Sequence, residues 1–234
     1  QREIWIKRDD LSSPLYGGNK VRKLEYLLGC ALAHRADTVW TLGAEGSHHV
    51  LAVSLFARKI GLKTAAVTFP QPTTTHSARI TAAIANSGCR VFHAPSLARV
   101  PWAVTKLLVV HLRHRGLAAH PFPFRIPAGG SAPVGVLGYV RAGLELAHQF
   151  EQGQCPKPET IVVALGSCGT AAGLMLGLEI AGLSCRIHGV RVADWPVANA
   201  PNVYRLAWAA ARLLQNDGVD PFELKNANHW PSLL

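Results

Sequence analysis

Two spacings of apolar residues alternate along the chain. Short apolar or β-branched runs at Ile4–Lys7, Thr38–Leu42, Thr64–Phe69, Arg90–His93, Thr160–Leu165 and Arg186–Val192 read as strands. Between them, apolar residues return every three or four positions over Lys20–Arg35, Ser47–Ile60, Ser77–Ser87, Trp102–Arg115, Val134–Gln152 and Ala171–Ala181, which read as helices. That order predicts an α/β fold of parallel sheets covered by helices. The Pro- and Gly-rich segment Ala119–Pro133 and the polar segment Gly153–Glu159 are the expected passages between lobes. From Asn216 to Leu234 the alternation breaks, punctuated by Asp217-Gly218, Asp220-Pro221 and His229-Trp230-Pro231, and the chain reads as stopping in mid-fold.

Composition narrows this picture. With 234 residues, 49% hydrophobic and 16% charged, the chain has the makings of one large or two modest globular domains rather than of disorder. Five scattered cysteines, odd in number and without a C-x-x-C pair, argue against a disulfide framework or a zinc ribbon and point to a reducing cytoplasm. No metal site is expected. The segment Ile161–Leu183 is apolar apart from Glu179 and long enough to span a bilayer, but Gly166–Thr170 reads as a turn splitting strand from helix, so no membrane partner is expected. A net charge of +10 fits an anionic partner. Arg22, Lys23, Arg58, Lys59, Arg113, Arg115 and Arg141 are dispersed and no nucleic-acid motif appears, so nucleic acid is not expected.

Candidate chemistry gathers at turns that open helices. In Tyr16-Gly17-Gly18-Asn19-Lys20, Asn19 suits an N-cap and Lys20 projects from the first helical turn. There the helix dipole and the neighbours Arg22 and Lys23 disfavour its charged form, as a Schiff-base lysine requires. The same residues also suit an ordinary helix with a solvated basic start. Gly166-Ser167-Cys168-Gly169-Thr170 joins a strand to a helix, and its N–H groups and hydroxyls suit a phosphate, although the Walker, dinucleotide and nucleophile-elbow patterns are absent. In Gly43–His49, Ser47 reads as an N-cap, while the adjacent His48 and His49 make a poor chelating pair. Ile126–Pro133 is a glycine-rich turn able to approach a ligand.

Together, Ile6-Lys7-Arg8-Asp9-Asp10-Leu11, Gly17–Glu25, Gly43–His49, Ile126–Ser131 with Gly135, Gly138 and Tyr139, and Gly166–Thr170 with Gly173 closely resemble the D-cysteine desulfhydrase / 1-aminocyclopropane-1-carboxylate deaminase family. This is a branch of the fold type II pyridoxal-phosphate enzymes, relatives of the tryptophan synthase β subunit, and the match runs in order to about Val192. The resemblance implies two lobes with pyridoxal 5'-phosphate in the cleft: a larger, incomplete one from residues 1–36 with 149–234, and a smaller inserted one from 37–148. It implies Lys20 as the Schiff-base lysine and proton carrier, Gly166, Ser167, Cys168, Gly169 and Thr170 as phosphate holders, and Asn19 beside the cofactor. Ser47 is implied near the substrate, as carboxylate ligand or catalytic proton-transfer group, with His48 and His49 beside it as substrate-binding residues. His48 stands where the family usually keeps asparagine toward the cofactor's 3′ oxygen, and Cys168 where glycine is common.

Family members continue well past this chain, so a C-terminally truncated copy is expected. The implied activity is that of a lyase or deaminase on a small amino acid. D-cysteine desulfhydrase-like chemistry, giving pyruvate, sulfide and ammonia, is preferred on Lys7-Arg8-Asp9-Asp10. Aminocyclopropane-carboxylate deamination and a catalytically impaired relative are the alternatives. A homodimer is the family's usual state.

Overall fold

Side chains able to close a helix decide where several elements begin. Thr74 accepts from the Ser77 N–H at 3.0 Å and Ser77 Oγ accepts in return from the Thr74 N–H at 2.8 Å, a capping box that starts its helix at Thr75. Ser47, in an extended conformation, caps the helix that follows it. The structure is a computed structural model and describes residues 3–115 and 122–216. The stretch 217–234, whose irregular punctuation is noted above, lies outside the described residues, as do residues 119–121 of the first candidate passage.

The elements are α1 (Asn19–Ala33), β1 (Thr38–Ala44), α2 (His48–Lys59), β2 (Lys63–Phe69), α3 (Thr75–Asn86), β3 (Arg90–His93), α4 (Val100–Arg115), β4 (Phe124–Arg125), α5 (Pro133–Glu151), β5 (Thr160–Leu165), α6 (Gly169–Ile180), β6 (Arg186–Arg191) and α7 (Ala200–Asn216). They fall into two compact units. One runs from Leu27 to Ala128; the other takes in the described residues up to Tyr26 and those from Gly129 on.

In the Leu27–Ala128 unit, an all-parallel sheet has the order β3-β2-β1-β4, with Thr38 beside Lys63, Ala65 beside Arg90 and Val39 beside Phe124. One face carries Trp40, Ala65, Val67 and Phe92 against Ala103 and Leu107 of α4. In the other unit, β5 and β6 pair in parallel beneath α5, α6 and α7.

The apolar run Ile161–Leu183 divides into β5, a turn and α6, as the sequence predicts. No helix among the described residues is long and apolar enough to cross a membrane.

Three expectations change. Ile4–Lys7 is not a strand: Ile4, Trp5 and Ile6 are exposed, and the segment is held by side chains. Lys7 binds Glu145 and, at 2.9 Å, Gln149 of α5. The sequence reading places 37–148 in the inserted lobe, whereas the units divide after Tyr26 and Ala128, because α5 packs on α6 and α7. Glycines permit that contact: a Cβ on Gly143 would stand 3.0 Å from Gly177 Cα, and one on Gly177 would stand 2.3 Å from the Val140 carbonyl. Finally, α7 escaped the sequence reading. Its buried stripe, Leu206, Ala207, Ala210 and Leu214, is half alanine, and its largest aromatics, Tyr204 and Trp208, point outward.

Candidate active site

The first turn of α1 positions two lysines. Val21, Leu24, Leu27, Leu28 and Ala31 form the buried stripe of the helix, and Lys23 falls on the same stripe with only 1% of its surface exposed. Lys20 is half-buried, its Nζ 3.1 Å from Asn19 Oδ1. The helix begins on Asn19 itself, and rather than capping, its side chain faces Lys20 and, at 3.5 Å, Thr170 Oγ1.

Burial lowers the Lys20 amine below the usual lysine range. For Lys23, burial first and the Lys20 charge second push it down to about 7, against an opposing contribution from Cys168. The sequence argument rested on helix dipole and neighbouring charge; desolvation carries more of the effect, and carries it furthest at Lys23. Sequence reasoning missed Lys23, although a lysine on an apolar stripe was a signal that could have found it.

Lys23 Nζ lies 3.3 Å from the Gly129 carbonyl and 3.4 Å from Ser131 Oγ. Ser131 donates to Ser167 Oγ at 2.8 Å and accepts from the Gly169 N–H at 3.3 Å. The glycine-rich turn and the Gly166–Thr170 turn therefore meet over Lys23 at the N-terminus of α6, whose dipole attracts an anion. Close approach explains the glycines. A Cβ on Gly169 would stand 2.5 Å from Ser131 Oγ and 3.1 Å from Lys23 Nζ, and one on Gly129, whose φ is 67°, would stand 2.3 Å from Ser167 Oγ. Cys168 takes a left-handed conformation, φ 67°, and turns its thiol inward to the carbonyls of Val197 and Asn199 at 3.2 and 3.6 Å. Its side chain leaves the cup.

A second network holds the lysines in place. Arg22 binds Asp9 at 3.0 Å and Glu145 at 2.8 Å, and Asp9 also accepts from the Tyr139 hydroxyl. The Asp9 of the sequence motif thus fastens α1 to α5.

Ser47, His48 and His49 belong to the other unit. The Ser47 hydroxyl accepts from the Val50 N–H at 3.4 Å. His48 is exposed and meets His76, Nε2 to Nε2, at 2.7 Å. His49 turns into the core, where its Nε2 lies 2.8 Å from Thr41 Oγ1; burial removes it from the substrate-facing role given to it above. Among the described residues no three His, Cys, Asp or Glu side chains cluster to hold a metal ion.

The lowered Lys23 amine makes stability depend on pH. The unfolded lysine titrates at its ordinary 10.5 and the folded one at about 7, so between those values the unfolded chain binds the additional proton and stability rises with pH. Below pH 7 the full cost of burying the charge remains. Urea midpoints of the cofactor-free protein measured across this window should climb relative to those of Lys23→Met; parallel pH profiles would refute the burial of this amine.

A family model described as "Pyridoxal-phosphate dependent enzyme" matches residues 1–215. A Pyrococcus horikoshii protein with the provisional name 1-aminocyclopropane-1-carboxylate deaminase is 39% identical over 213 residues, covering 91% of this chain and 62% of that protein. A D-cysteine desulfhydrase of Serratia proteamaculans is 34% identical over 232 residues, covering 95% of this chain and 67% of the enzyme. The crystal structure of an ACC deaminase homologue superposes with a TM-score of 0.72 at 35% identity, covering 89% of this chain and 61% of the homologue. The chain thus spans about two thirds of the length of these relatives. The cup fits pyridoxal phosphate: a buried amine, two hydroxyls and a helix-terminal N–H converge where glycine leaves room, beside a second amine of lowered pKa.

Proposed function

The chain belongs to the pyridoxal-phosphate dependent enzyme family, and from that premise we propose that it is the greater part of a lyase acting on a small amino acid, D-cysteine by preference. One observation carries the reading: two desolvated lysine amines stand one helical turn apart, one of them bonded into a cup of Ser131, Ser167 and the Gly169 N–H.

Bound pyridoxal phosphate supplies an electron sink for negative charge developing at the substrate's Cα. Lys23, Ser131, Ser167 and the N-terminus of α6 would hold the phosphate. Lys20 would be the amine beside the cofactor's aldehyde carbon, and would carry protons to and from the substrate's Cα, for which a lowered pKa suits it at neutral pH. Asn19 orients the Lys20 amine through its side-chain oxygen. The family resemblance gives Ser47 to the substrate, as carboxylate ligand or proton-transfer group, and His48 to the cofactor ring in the place of an asparagine.

The test is product analysis on the cofactor-loaded protein. D-cysteine should give pyruvate, sulfide and ammonia in equal amounts. Formation of 2-oxobutanoate from aminocyclopropane carboxylate, without sulfide from D-cysteine, would favour the deaminase. Cofactor binding with neither product would favour the impaired relative.

A further inference from the structure

The cofactor cup engages only a small part of the +10 charge, and another part converges elsewhere. In the Leu27–Ala128 unit a cavity of about 640 Å³ opens at the N-terminal end of the sheet, between its strands and α4. The register places Thr38 beside Lys63 and Ala65 beside Arg90, so these side chains, with Phe92, share one face. From α4, Leu107, Val110, His111 and His114 enter at i, i+3, i+4 and i+7, a single helical stripe. Arg58 joins from the end of α2, its Nη1 donating to the Ser87 carbonyl at 3.2 Å.

Asp37 is the one acid among the described lining residues, against Arg58, Lys63, Arg90 and two histidines. His111 and His114 lie in the last turns of α4. The three longer cations remain, and the ion pair between His93 and Glu45 of the same unit uses none of them. Beneath them the wall is apolar: Ala65, Phe92 and Leu107 belong to the core of this unit. A charged rim above an apolar floor, in a concavity of this size, is the layout of a small-molecule site. A nucleic acid would instead ask for a basic stripe along an open surface.

We propose that this cleft binds a small phosphorylated molecule with an apolar or planar body, its phosphates on Arg58, Lys63 and Arg90 and its body on Ala65, Phe92 and Leu107. The site does not depend on the proposed lyase activity, since every lining residue lies in the Leu27–Ala128 unit.

Calorimetric titration of the full chain with adenosine diphosphate tests it, with pyrophosphate and short duplex DNA as comparisons. One nucleotide should bind per chain, more tightly than pyrophosphate. Lys63→Ala/Arg90→Ala, two exposed positions, should weaken it about tenfold or more while leaving the melting temperature of the unliganded protein unchanged. Lys23→Met, which disables the cofactor cup, should leave nucleotide binding as it was. The proposal is overturned by the absence of saturable binding at millimolar nucleotide, or by loss of binding in Lys23→Met with none in the double variant. Pyrophosphate binding as tightly as the nucleotide, or duplex DNA binding more tightly, would overturn it equally.

Discussion

Lys20→Ala is expected to lower turnover by at least about 10³-fold and to abolish the visible absorbance of lysine-bound pyridoxal phosphate, because it removes the amine proposed both to anchor the cofactor and to move protons at Cα; positioned acid–base groups alone contribute about 10²–10⁴-fold. The residue to exclude is Lys23, one turn away and with the lower pKa. Geometry separates them. Lys23 Nζ is enclosed and bonded to the Gly129 carbonyl and Ser131, as an anion ligand is, whereas Lys20 is half-buried with its amine on the Asn19 side chain. Lys23→Met should therefore keep the visible band while weakening the binding of inorganic phosphate, and Lys20→Ala should do the reverse. A band that survives Lys20→Ala and disappears in Lys23→Met would exchange the two roles.

The second large effect is structural and acts on the same helix. Gly138→Ala would place a Cβ 1.9 Å from the Arg22 carbonyl oxygen, 2.4 Å from its carbon and 3.0 Å from the Lys23 nitrogen. All three are backbone atoms, so no rotamer change relieves the clash; α5 must move off α1 and pull on the ion pairs of Arg22 with Asp9 and Glu145. The expected cost is about 3 kcal/mol, the upper end of ordinary overpacking penalties, or roughly 6–12 °C in melting temperature for a chain of this size. Phosphate binding should weaken with it, since the displaced turn carries Lys23. Gly166→Ala is the control: its Cβ would meet only Val192 at 3.8 Å, an ordinary contact, and its stability should stay within about 0.5 kcal/mol of wild type. Equal melting temperatures for both variants would show that α1 and α5 are not in the close contact described.

Much of the fold was written in local pattern. The α/β order, the strand–turn–helix division of Ile161–Leu183 and the Ser47 cap follow from period, glycine placement and side-chain reach, all acting over a few residues. Where local pattern misled, long-range partners had decided. Ile4–Lys7 is apolar enough for a strand, but Lys7 and Asp9 are tied by charge to Glu145 and Arg22. The helix over Ala200–Asn216 was masked because its buried stripe is half alanine while its two aromatics, Tyr204 and Trp208, face outward.

The candidate site divides along the same line. Lys20 and the Gly166–Thr170 turn could be proposed from sequence because each sits at a helix start, where residue type and chain geometry meet within one turn. Lys23 and Ser131 were not, because burial and anion-binding geometry belong to no single segment: residues 23, 131, 167 and 169 share a cup only once α1, α5 and α6 have packed. Local pattern thus carried most of the elements, the motif order and the chemistry available to the chain. The tertiary structure decided which amine is desolvated, that His49 and the Cys168 thiol turn inward, and where part of the surplus positive charge converges, since each depends on dielectric environment and on distances across the fold.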